Sequence, residues 1–431
     1  MPVTAHDPEV IKGLDARFQE RRGQVPVLAR RAEAEGITTI RSPEDMLPLL
    51  FPHMTYKSYP ESLIVKGHWA QMNRWLDSLS THRVGDVDVS GVEDVDGWIE
   101  RLEASGHLVA SSSGTSGKGS FLNKTRADRK ASLGDLICCL RALGLPPDPS
   151  WHVLPIGPDT RISQHVAVRD LLISSYGRPD AIAFPRGNAP AGPYGYMARL
   201  AAMRRAMAEG AAAPDEVAAF EAESAGRQAE TERRLRHFAE QLLMRRSERV
   251  FFNATLPLLY RLCEILRELG ASDGDLTGRN ALMAGGGLKG MRLPPDYREQ
   301  IFRLLNIEPS RFLHYYSMQE LNVRLAKCPA GRYHVPPELT LFVLDKEGES
   351  LAPVSDGQVE GRAAFFDMTV DGRWGGTISG DKIIADLGVC PCGRPGSTVF
   401  DEITRYSDLP DGDKITCAGT MDAYVRGFIE D

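Results

Sequence analysis

The sequence predicts an α/β chain organised as α+β subdomains, with mixed sheets flanked by helices and a smaller β-barrel-like part. Three observations lead there. Helix-start signals crowd residues 1–105, short apolar runs alternate with helical segments from about 150 to 290, and short strands with turns dominate after 335. At 431 residues the chain exceeds one average domain. Hydrophobic residues at 42% and charged residues at 25% are ordinary for a soluble chain with a sizeable core. The net charge of −7 supplies no basic excess to displace counterions, which argues against a nucleic-acid surface. The N-terminus lacks a basic region followed by an apolar one, and no apolar run is long enough to span a bilayer. Seven scattered cysteines, an odd number, suit a reducing cytoplasm better than a disulfide framework.

Taken in order, residues 1–105 read as helical. DPEVIKGLDARFQERR and SPEDMLPLLF open on helix-start residues, and VEDVDGWIERLEASG is amphipathic and closed by Gly106. Residues 106–334 read as an α/β core: HLVAS as a short strand, RADRKASLGDLICCLRAL as a helix, WHVLPIG as a buried strand. An Ala- and charge-rich insertion of about 200–247 carries Leu235, Phe238 and Leu242 at helical spacing, the pattern of an inserted helical pair packed on the core. ELTLFVLD, GRAAFFDMTV and GGTISGDKIIADLG make 335–403 a β-rich subdomain, followed by a short segment over 404–431.

The most informative stretch is Ser111-Ser112-Ser113-Gly114-Thr115-Ser116-Gly117-Lys118-Gly119-Ser120. Glycines let backbone N–H groups converge on an anion, hydroxyls add donors, and the lysine adds a point charge. The spacing is not that of a Walker loop: two residues separate Gly114 from Gly117, and Gly119 follows the lysine where Ser or Thr is required. The alternative for such a run is a flexible linker. Against that, the loop follows an apolar strand and precedes a helical segment.

The string S-S-G-T-S-G-K resembles the S-S-G-T-T-G-K-P loop of adenylate-forming enzymes, with Gly119 in place of the proline. Further stretches resemble that superfamily's landmarks in the same order. Ala284-Gly285-Gly286-Gly287-Leu288-Lys289 resembles the turn laid against adenine. His314-Tyr315-Tyr316-Ser317-Met318-Gln319-Glu320 resembles Y-G-x-T/S-E, which implies Tyr316 near the adenine, Gln319 at the α-phosphate and Glu320 on Mg²⁺. A single carboxylate beside substrate phosphates suits that ion. Ser379-Gly380-Asp381 resembles T-G-D, whose acceptor-only carboxylate takes both ribose hydroxyls, and Arg405 resembles the arginine near the hinge.

The resemblance is to the phenylacetate–CoA ligase and acyl-protein synthetase branch. It implies ATP bound by Ser112, Ser113, Gly114, Thr115, Ser116, Gly117, Lys118, Gly285, Gly286, Gly287, Tyr315, Tyr316, Ser317, Gln319, Asp381 and Arg405. Lys118, Glu320 and Lys289 would carry catalysis, and His152 and Gly287 would line the acyl site. A satisfied core histidine is the alternative for His152.

Four residues make a Cys₃His set: Cys328 and His334 around one turn, Cys390 and Cys392 in another. That composition is a recognised closed zinc site, although C-x-C is tighter than the common spacing, and two free-thiol turns are the alternative. Several phenylacetate–CoA ligase relatives look the same here, which implies a structural Zn²⁺.

The reaction implied is attack of a small carboxylic acid on the α-phosphorus of ATP, releasing pyrophosphate. The acyl group would then pass to a thiol: coenzyme A, a carrier protein or an enzyme cysteine, with a reductase among the expected partners and a homodimer among the expected assemblies. The resemblance also leads us to expect a C-terminal lid domain that is absent or vestigial. Lys414 would then be either a stand-in for the lid lysine or an ordinary surface-turn residue, and Cys417 either an acyl acceptor or a small buried thiol. The segment TYKSYPESLI also resembles acyl-protein synthetases but carries no chemistry legible in the sequence.

Overall fold

The computed structural model describes residues 5–111, 118–156, 163–182, 195, 199–200, 203, 206–207, 210–285, 291–410, 412–413 and 415. Its strands, in chain order, are β1 Phe51–Pro52, β2 Leu108–Ser111, β3 Phe121–Lys124, β4 His152–Ile156, β5 Val250–Ala254, β6 Asn280–Gly285 and β7 Ile307–Tyr316. They continue with β8 Leu325–Ala326, β9 Tyr333–His334, β10 Leu339–Leu344, β11 Gln358–Asp367, β12 Gly376–Asp386, β13 Thr398–Val399 and β14 Thr404–Arg405.

The chain forms two compact units. One comprises residues 1–132, 194–201 and 318–431, the other 133–193 and 202–317. The N-terminal helices fall in the first unit together with the β-rich segment. Phe18, Trp75 and Trp98 from those helices share one buried cluster with Phe342, Phe366 and Trp374 of the β-rich segment. Trp374 lies edge-on to Phe366 at 4.7 Å and to Phe18 at 6.4 Å. Each of these helices has one apolar stripe and must bury it, and for Phe18 the aromatic partner is Trp374, in the distant β-rich segment. Local pattern cannot show that.

The helix starts follow from capping chemistry. Asp7 accepts the Glu9 N–H (2.9 Å) ahead of helix Pro8–Arg21, and Asp94 accepts the Gly97 N–H (2.8 Å) ahead of helix Val95–Ala104. Gly106, at φ 95°, ends the latter as a non-glycine residue could not without strain. The strand order of the large sheet is β10-β11-β12-β13-β9. The 11-residue β12 also receives β1 in parallel and β14 antiparallel.

In the second unit β4, β5, β6 and β7 pair in parallel. The insertion's helix Pro214–Met244 is fully described, and Leu235, Phe238 and Leu242 are its buried face, packed with Leu259 and Leu262 of helix Leu256–Glu268. Phe238→Ala would empty a site that is 1% exposed and should cost about 3–5 kcal/mol, read as a lower urea midpoint with unchanged m-value.

Candidate nucleotide and metal sites

The phosphate-loop candidate is the connection of a β-hairpin. β2 and β3 pair antiparallel, Ser111 opposite Phe121 and Leu108 opposite Lys124. This corrects the expectation that the loop runs from strand into helix: β3 intervenes, and helix Arg126–Ala142 begins only after it. All four β3 residues are buried, so the strand lacks the alternation that marks one from sequence. Ser112, Ser113, Gly114, Thr115, Ser116 and Gly117 lie outside the described residues. Lys118 is described: its Nζ donates to the Tyr59 carbonyl and stands 4.4 Å from the centre of the Tyr59 ring, while the Tyr59 hydroxyl donates to the Gly119 carbonyl (2.8 Å).

A buried polar knot ties this hairpin to Glu320. Arg373, 1% exposed, donates to the carbonyl of Glu320 (2.6 Å) and to that of Asn123 on β3 (3.3 Å). Lys124 Nζ donates to the Leu321 carbonyl and to Asn322 Oδ1, both at 3.3 Å. Asn322 donates its amide N–H to Asp367 Oδ2 and its side-chain Nδ2–H to Asp128 Oδ1, both at 2.7 Å.

Asp128, fully buried, also accepts the N–H groups of Thr125 (2.8 Å), Asp371 (2.8 Å) and Gly372 (2.9 Å). Burial works to raise its pKa, but Arg373 and these donors hold it below the ordinary carboxylate value. Burial, with Arg373 close by, pushes Lys124 down to about 7. The side chain of Glu320 is half-buried; its carboxylate accepts from the N–H of its own residue, and among the described residues no other side chain hydrogen-bonds or ion-pairs with it. Burial raises its pKa. A desolvated carboxylate held by its backbone and without a side-chain partner is a fitting ligand for a small hard cation.

β12 and β14 bring Asp381 and Arg405 into register, with Arg405 Nε 3.7 Å from Asp381 Oδ1. In the second unit, Gly285 and Tyr315 are register partners on β6 and β7. A β-carbon at 285 would lie 2.5 Å from the Tyr315 ring, so any other residue there requires the ring to move. Tyr316 ends β7 half-buried, Ser317 is exposed and Gln319 is half-buried. Gly286, Gly287, Lys289, Lys414 and Cys417 lie outside the described residues.

His152 is 1% exposed. Its Nδ1 accepts the Ile182 N–H (3.1 Å), which assigns the ring proton to Nε2, and Nε2 donates to Glu248 (2.6 Å). Both nitrogens have protein partners, as a core histidine requires.

The Cys₃His set converges. The ligand atoms of Cys328, His334, Cys390 and Cys392 lie within 4.8 Å of one another. Cys328 stands at a turn closed by its N–H on the Arg332 carbonyl (2.8 Å), with Gly331 at φ 78°. The Cys390 turn is closed by the Gly393 N–H (2.9 Å), with Gly393 at φ 82°. Pairing of β9 with β13, His334 opposite Thr398, joins the two. Cys328 Sγ to Cys390 Sγ is 3.7 Å, and Cys392 Sγ to His334 Nε2 is 3.3 Å. A disulfide needs sulfurs about 2 Å apart, whereas a tetrahedral zinc about 2.3 Å from each sulfur sets them about 3.8 Å apart. Burial pushes the Cys390 thiol up to about 11. At Cys392 burial is outweighed by the Arg394 N–H and neighbouring hydrogen bonds, which bring the thiol down to about 7.

No motif or spacing marks Arg373, Lys124 or Asn322. Asp128 had a signal: Thr125-Arg-Ala-Asp128 is a capping box, with the Asp128 N–H donating back to Thr125 Oγ1 (3.2 Å).

No family model matches the chain, and no curated protein matches it in sequence. In three dimensions it is similar to a 2-hydroxyisobutyryl-CoA ligase in complex with 2-HIB-AMP and CoA, at a TM-score of 0.55 and 14% identity over 93% of this chain and 68% of that one. Lower similarities are to the A-PCP didomain of a carboxylic acid reductase from Segniliparus rugosus (TM-score 0.37, 14% identity, 77% of this chain, 42% of that) and to O-succinylbenzoate coenzyme A synthetase from Bacillus subtilis (0.33, 11%, 68% and 49%). The chain spans less than half the length of each of these last two. Its fold is that of this 2-hydroxyisobutyryl-CoA ligase, in keeping with the α/β class read from the sequence. Among the described residues no helix is long and apolar enough to cross a membrane.

Proposed function

We propose that this protein activates a carboxylic acid with ATP, forming an acyl-adenylate and pyrophosphate, and passes the acyl group to a thiol such as coenzyme A or a carrier protein. One observation carries the reading: Arg373 links the backbone of Glu320 to the strand that leaves the phosphate loop, which ties a carboxylate with no side-chain partner to a Gly/Ser/Lys hairpin. Asp381, with Arg405 beside it, supplies the acceptor for ribose hydroxyls.

The chain's own work is positioning and charge. The hairpin's N–H groups and Lys118, released from the Tyr59 carbonyl, hold the β- and γ-phosphates so that the substrate carboxylate meets the α-phosphorus in line. Mg²⁺ at Glu320, when bound, would neutralise charge on phosphate oxygens. No protein nucleophile is required.

Carboxylate-dependent ATP–pyrophosphate exchange over a broad acid panel tests this, with Lys118→Ala and Glu320→Ala as controls. Exchange lost in the variants supports it. Nucleotide binding without exchange by any acid would instead make the chain a silent nucleotide-binding subunit.

The Cys₃His cluster supports a structural zinc that clamps two turns, with no open coordination position. Gently purified protein should hold about one zinc per chain. Cys328→Ser should abolish it and lower the melting temperature, and chelation of the wild type should have the same direction of effect. Metal analysis beside a thermal melt checks both.

A further inference from the structure

We propose that Lys57 is a nucleotide-binding residue whose ammonium takes a phosphate oxygen of ATP. This rests on the nucleotide site proposed above and adds to it a residue from the segment TYKSYPESLI, which the motif reading left without a role.

The argument begins with where residues 51–59 run. Phe51 and Pro52 pair with Thr377 and Ile378 of β12, immediately before Ser379-Gly380-Asp381. The next residue, His53, packs on that motif: a β-carbon at Gly380 would lie 3.2 Å from His53 Cε1. The chain then makes a tight 3₁₀ turn, His53–Lys57. Tyr56, 1% exposed, donates its hydroxyl to the Trp374 carbonyl (3.5 Å), next to the Arg373 that holds Glu320. Two residues past Lys57, Tyr59 grips the phosphate hairpin through the Lys118 ammonium and the Gly119 carbonyl. This short stretch therefore touches the ribose motif at one end and the phosphate hairpin at the other, with the Glu320 support between them. Lys57 lies within that span.

Its side chain is half-buried, yet among the described residues its ammonium has no hydrogen-bond or ion-pair partner. The charged groups that act on it are Glu320, which favours the ammonium, and Arg405, which opposes it, while burial lowers its pKa. A desolvated ammonium without a partner is costly unless a ligand completes it. Glu320 does not serve if a divalent cation occupies it, because the positive charge around Lys57 then rises. Lys57, Lys118 and Arg405 together call for a polyanion, and a triphosphate laid between the hairpin and Asp381 supplies one.

Calorimetric titration of full-length protein with Mg-ATP and, separately, with adenosine tests the assignment. Lys57→Met should weaken ATP binding by about 10- to 100-fold, with adenosine affinity unchanged, and Lys57→Arg should recover part of the loss. Lys57→Gln provides a second neutral variant, with adenosine binding as proof of its fold. Neutral variants that bind ATP within about twofold of wild type overturn the assignment and leave the proposed function standing. A wild-type protein that binds adenosine but gains nothing from the triphosphate overturns both.

Discussion

Glu320→Gln is expected to cut carboxylate-dependent ATP–pyrophosphate exchange by about 10²–10³-fold, with thermal stability close to wild type. The substitution keeps the side chain's volume and leaves the Arg373 contact intact, because that contact is to the backbone carbonyl. What it removes is the anionic oxygen that a hard cation demands. The loss should appear in kcat and in the Mg²⁺ requirement more than in adenosine affinity, since the contacts assigned to the nucleoside lie elsewhere, at Asp381. Exchange kinetics at varied Mg²⁺ give the answer. An unchanged metal dependence would remove Glu320 from its assigned role.

Asp128→Ala should cost about 3–5 kcal/mol of stability. The carboxylate is fully buried and accepts from three backbone N–H groups and the Asn322 side chain, with Arg373 as the nearby cation. Removing it strands those donors and leaves a buried guanidinium uncompensated, which costs more than the knot contributes on balance. Urea unfolding measures it, and a loss under about 1 kcal/mol would contradict the description.

The pH dependence has a definite sign. The folded-state pKa of Asp128 lies below its unfolded value near 3.9, so its stabilisation is complete above about pH 4 and disappears as pH falls through the folded value. Below pH 4 the wild type should lose stability more steeply than Asp128→Asn.

Local chemistry made much of this fold legible. Asp7 and Asp94 announced their helices, and ELTLFVLD and GRAAFFDMTV became β10 and β11 because apolar runs bounded by turn residues have few other uses. The four zinc candidates were legible as a composition, and convergence on one point followed from pairing of β9 with β13, which composition cannot state. β3 was missed because FLNK is buried on both faces. The discontinuous first unit was missed because Phe18 gives no local hint that Trp374 is its neighbour. Arg373 and Lys57 were missed for a related reason. A lone charged side chain gains its meaning from groups far away in the sequence, here Glu320, Asn123 and Arg405.

The interruption of the first unit by residues 133–193 and 202–317 also bears on how the chain is made. A ribosome adding about 5–20 residues per second needs roughly 10–40 s to traverse that stretch. Trp75 and Trp98 can already pack on Tyr59, Trp69 and Phe121, but Phe18 lacks Trp374, and the cluster lacks Phe342 and Phe366, until the last part of the chain emerges. Vectorial synthesis thus leaves part of the amino-terminal core waiting on residues made late, the kind of exposed apolar surface that holdase chaperones bind.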